Sequence, residues 1–146
     1  MGALVYIVME VLPDLGLMRQ SMQVFPRRRR IRSVEAIILD NPSPGNYEEL
    51  ADLYLEEERF ADARKCYDRA ISTSRSDLLD PYYRRGVAAM GMGDFQSALP
   101  DLERVVERDP KYDSYRASGL LAHAYAQTGQ PEKADAQFEY ATSTST

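Results

Sequence analysis

Asn46 to Ala70, NYEELADLYLEEERFADARKCYDRA, carries a pattern that returns twice downstream. Its second half, Phe60 to Ala70, matches Phe95 to Val105 and Pro131 to Ala141, aligning Ala63 with Ala98 and Ala134, Tyr67 with Leu102 and Phe138, and Ala70 with Val105 and Ala141. The repeat lengths are 35 and 36 residues. Upstream of each copy lies a second motif: Leu50-Ala51 with Tyr54, Arg85-Gly86 with Ala89, and Leu121-Ala122 with Tyr125. Small residues recur where two helices must touch.

Apolar residues fall at helical spacing, as in Ala63, Tyr67, Ala70 and Ile71, and no run alternates with the period of two that marks a half-buried strand. Asp80-Pro81 reads as a helix cap followed by proline at the first helical position, where its missing N–H costs nothing. Gly91 and Gly93 end the same helix and Gly129 ends a later one. Pro100, inside the second helix of the second copy, is expected to kink it.

The three copies resemble the tetratricopeptide repeat, a helix-turn-helix unit of about 34 residues, over roughly Asn46 to Ala141. The fullest signature is the second: Tyr82, Gly86, the Gly-Asp turn before Phe95, Ala98 and Asp109-Pro110. In the third, Ser118 replaces the first-helix aromatic. The expected fold is all-α, an α-solenoid of three such repeats (about 44–78, 79–113 and 114–146) behind a short capping helix at 33–42. Residues 1–13 read as an apolar segment and 14–32 as a basic linker. Ser33 is the expected cap of the 33–42 helix, with Val34, Ile37 and Ile38 covering the first repeat, and the tail after Ala141 is expected to fray.

Charge is uneven. Residues 1–32 hold six arginines against Glu10 and Asp14, a net of +4, whereas the remaining 12 basic and 21 acidic residues leave −9. Acidic repeats argue against nucleic acid, which needs a basic surface. A lone Cys66 permits no intramolecular disulfide, and nothing indicates an oxidising compartment.

Gly2 to Leu12, GALVYIVMEVL, is the most hydrophobic stretch, but it has about half the roughly 20 residues a membrane span needs. It fits a buried or interfacial helix, or the end of a longer anchor; a signal peptide fits least, for lack of a basic lead. The segment resembles the tails of short membrane segments of bacterial envelope proteins. Arg27 to Arg30 suit either a solvated linker or the cytoplasmic face of a membrane.

Enzymatic chemistry is not expected. His123 and Cys66 lie on helices of different repeats, so neither a Cys-His pair nor a metal set forms, and no cofactor loop is present. Glu56-Glu57-Glu58 reads as a solvated helix end. The resemblance implies protein or peptide binding in a concave groove lined by first helices. By position these residues are Glu48, Asp52, Leu55 and Glu56 in repeat one, Tyr83, Val87 and Met90 in repeat two, and His123, Ala126 and Gln127 in repeat three. Family members that clamp a terminal carboxylate use Lys and Asn where this chain has Glu48 and Asp52. The groove is therefore expected to be acidic at one end and apolar in the middle, suiting a basic or amphipathic helix. Two functions follow: a scaffold, cytoplasmic, free or held at the inner membrane face, or a homo-oligomer joined through its apolar N-terminus and open last repeat.

Overall fold

The computed structural model describes the backbone of residues 15–144 and the side chains of residues 25–143. The expectations for residues 1–13 lie outside that range. Seven helices follow in order among the described residues: α1 (Leu15–Asp40), α2 (Pro44–Glu56), α3 (Phe60–Thr73), α4 (Asp80–Gly91), α5 (Phe95–Arg108), α6 (Arg116–Gln127) and α7 (Pro131–Thr144). Each packs on the next, and the first helices also touch one another, α2 with α4 and α4 with α6. Among the described residues the second helices α3, α5 and α7 make no comparable contact, so the first helices form the inner layer of an α-solenoid.

The helix starts differ in chemistry. Ser43 caps α2, its hydroxyl accepting the Asn46 N–H at 3.2 Å, with Pro44 at the first position. Asp94 caps α5 by accepting the Ser97 N–H. Asp80 is not the cap that was expected: it is the first residue of α4, and its carboxylate accepts the Tyr112 hydroxyl instead. The turns inside the repeats share one left-handed residue, Glu58 (φ 57°), Gly93 (φ 73°) and Gly129 (φ 77°). Glycine suits that position, since a Cβ crowds the following carbonyl there. Helix α5 continues past Pro100, whose ring is exposed.

The core follows the aligned positions. Ala63, Tyr67, Ala70, Ala98, Leu102 and Val105 are all fully buried, and burying a side chain the size of Leu102 contributes about 2 kcal/mol. A Cβ on Gly86 would come within 3.1 Å of Leu102, which explains the small residue at that helix contact. In the third repeat Ser118 is fully buried and donates its hydroxyl to the Pro110 carbonyl at 3.2 Å, a small hydrogen-bonded substitute for an aromatic.

The N-terminal region differs most from expectation. Residues expected as a linker and a separate short helix belong to the single helix α1, with Pro26 and Ser33 inside it. Arginine is a good helix former, and three residues of the run find carboxylates on the first repeat. Arg27 reaches Glu56 at 3.1 Å and Glu57 at 3.8 Å, Arg28 reaches Glu57 at 3.9 Å, and Arg30 Nε donates to Glu49 at 2.6 Å. Ile31 and Val34 are buried beside Leu50, Ala51 and Tyr54, with Ile38 partly covered. Ile37 instead faces outward, 42% exposed. At the other end α7 includes Thr142 and Ser143, both expected in a frayed tail; the Thr142 hydroxyl donates back to the Phe138 carbonyl at 2.8 Å.

Candidate functional site

The inner layer presents the first helices side by side. On it lie Glu48, Asp52, Leu55 and Glu56 of α2, Tyr83, Val87 and Met90 of α4, and His123, Ala126 and Gln127 of α6. Glu56, Ala126 and Gln127 are exposed and Val87 is half-buried. Leu55, Tyr83 and Met90 lean partly against the hydrophobic core.

Two acidic residues of α2 are paired from within the molecule. Asp52 accepts the Tyr67 hydroxyl at 2.6 Å and is paired with Arg84 of the next repeat. That pairing raises the Arg84 pKa, the bond to Asp52 being the largest cause. Glu56 is taken by Arg27 at 3.1 Å. Burial, then the neighbouring Asp52, pushes the Glu48 carboxyl above its ordinary range. Two of the three acidic residues expected at one end of the groove, Asp52 and Glu56, are thus paired within the molecule.

At the α5–α6 connection, Asp113, Ser114 and Tyr115 all adopt left-handed backbone (φ 51°, 52° and 67°). This connection is one residue longer than the one before α4, matching the spacing of 36 rather than 35 residues between successive repeats. The detour brings Tyr112 against Tyr83, ring centroids 4.9 Å apart, while the Tyr83 hydroxyl donates to Asp113 at 2.9 Å. Burial and that bond push the Tyr83 phenol up to about 12. His123 is exposed, and Phe95 meets its ring edge-on at 5.5 Å, so it is not sandwiched between helices. Cys66 packs beside the core of the first repeat, and burial raises its thiol to about 11. Among the described residues no group of three or more His, Cys, Asp or Glu side chains is arranged to hold a metal.

Tetratricopeptide repeat models match residues 45–77 and residues 89–141, together more than half of the chain. The chain belongs to the tetratricopeptide repeat family. Its repeats make it a protein-interaction scaffold. Solved structures of similar shape include MamA, 22% identical with TM-score 0.72, covering 94% of this chain and 82% of that chain. A double mutant of MamA RS-1 is 19% identical with TM-score 0.74, covering 91% and 74%; MamA MSR-1 is 20% identical with TM-score 0.72, covering 84% and 69%. At such identity the likeness speaks for the fold. No curated protein matches the chain.

Three residues of this tetratricopeptide surface escape a reading by position alone: Glu49, Arg84 and Tyr112. A signal for one exists in the sequence, because Asp52 and Arg84 lie 32 residues apart, nearly one repeat. Opposite charges at that interval face each other across adjacent repeats, as Arg64 and Asp94 also do at 2.8 Å.

Proposed function

We propose that this protein holds a peptide or helix of another protein against the inner layer formed by α2, α4 and α6. The observation that carries the reading is the contiguity of those three helices, which supports an unbroken run from Glu48 through Val87 to Gln127. The ligand best suited is an amphipathic helix. Its apolar stripe would meet Val87 and Ala126, and a basic residue would meet Glu48, offsetting the repulsion it receives from Asp52.

The test is a pair of charge and size changes at exposed or half-buried inner positions, Val87→Arg with Gln127→Arg, against an outer control, Lys65→Glu. Loss of partner capture with the inner pair and retention with the control is expected, at unchanged helical circular dichroism. Equal capture by both variants would overturn the groove reading. A membrane location rests on residues 1–13; among the described residues no helix is long and apolar enough to cross a membrane. Retention in membranes through a salt wash supports an anchor, and release by salt alone argues against one.

A further inference from the structure

Phe138 occupies the place held by Tyr67 in the first repeat and Leu102 in the second. Both of those are fully buried, but Phe138 is 47% exposed. A solenoid repeat buries its apolar face largely against the next repeat, so α7 carries a core residue with no following neighbour among the described residues. Beside Phe138, Glu132, Asp135 and Glu139 recur at three- and four-residue spacing on the outward side of α7, opposite buried Ala134. All three are exposed and without an ion pair among the described residues.

The opposite end has the complementary character. The side of α1 turned away from buried Ile31 and Val34 carries Phe25, Arg29, Arg32 and Leu39. Phe25 is 69% and Leu39 86% exposed, and Arg29 and Arg32 form no ion pair among the described residues, unlike Arg27, Arg28 and Arg30. One end of the molecule is therefore aromatic and acidic, the other aromatic and basic.

We infer that the two ends join between copies of this chain, the outward face of α7 in one molecule seating the outward face of α1 in the next. Phe138 gains the cover its repeat lacks, and Arg29 and Arg32 meet the acidic stripe. The contact is heterologous, since different surfaces meet, so it propagates into chains rather than closing as a two-fold dimer. It leaves the inner layer free, and its failure would not touch the groove reading.

The experiment is sedimentation velocity on the full chain over a concentration series at low and high salt, with circular dichroism on every variant. The wild type should gain mass with concentration, less so at high salt. Phe138→Asp should weaken association at least tenfold. Arg29→Glu with Arg32→Glu (basic end reversed) should be monomeric alone, as should Glu132→Arg with Asp135→Arg and Glu139→Arg (acidic end reversed). Mixing those two charge variants should restore assembly, because each reversed end finds an opposite one. A wild type monomeric throughout would overturn the inference. So would association unchanged by the α1 reversals, the result expected if residues 1–13 rather than a second copy cover that face, or a mixture that stays monomeric.

Discussion

Arg85 grips Asp101 with two nitrogens, Nε to one carboxylate oxygen at 2.8 Å and Nη2 to the other at 2.7 Å. The same guanidinium reaches Asp68 of the preceding repeat at 2.9 Å. Asp101 is 6% exposed, so the fork ties α4 to α5 inside one repeat while tethering α3 of the other. Its bond to Asp101 is the largest reason the Arg85 pKa is raised. Removing the arginine strands a buried carboxylate. Arg85→Met should cost about 2–3 kcal/mol, below the full penalty for a sealed pair because Arg85 is partly open to water. The double change Arg85→Met with Asp101→Leu should cost less than Arg85→Met alone, checked by urea unfolding of the four-member cycle.

Glu58 stands where the other two repeats place Gly93 and Gly129, and all three are left-handed. A side chain pays for that conformation and glycine does not. Glu58→Gly should therefore raise stability by about 0.5–1 kcal/mol, seen as a higher thermal midpoint, although glycine normally destabilises a helical region.

Burial lifts the Cys66 thiol from 9.0 to about 11, leaving roughly a hundredfold less thiolate near pH 8 than an open cysteine has. Reaction with a thiol reagent at pH 8 should be slow in the native protein and reach the rate of free cysteine in denaturant. Equal rates in both states would show that Cys66 is not packed as described.

Acid should loosen the repeats through two carboxylates. Asp77 sits below its ordinary pKa chiefly because Arg108 bonds it, at 3.0 Å. Asp94 does so because Ser97 and then Arg64 bond it. A depressed folded pKa contributes stability above the unfolded value and loses it as pH falls through the folded one. The urea midpoint should thus decline as pH drops from about 5 to 3, and the decline should shrink in the double variant Asp77→Asn with Asp94→Asn.

The repeat period was readable because close packing constrains a few positions tightly: Ala63, Ala98 and Ala134 are buried wherever two helices meet, and only small residues fit. Caps were less readable, since Asp80 could serve α4 as a cap or bond Tyr112, and tertiary contact decided. The sequence shows only the end of α1, as the helix at 33–42, because Arg27 to Arg30 read as a linker until Glu49, Glu56 and Glu57 are brought opposite. Those partners lie 19 to 30 residues away on α2 and its C-terminal cap, beyond any local pattern. Position in the repeat assigns Glu48 to Glu56, Tyr83 to Met90 and His123 to Gln127 to α2, α4 and α6, but the pairing of Asp52 and Glu56 depends on Arg84 and Arg27, which arrive from neighbouring elements.

The central claim is that the inner layer is the surface that holds a partner. The most direct measurement is site-specific photo-crosslinking in the native cell, with a photoreactive residue at Val87 or Gln127 on the inner layer, or at Lys65 or Glu107 on the outer helices. Adducts to another protein from Val87 and Gln127, and none from Lys65 or Glu107, are the expected result. Adducts arising equally from the outer positions, or only from them, would contradict the assignment.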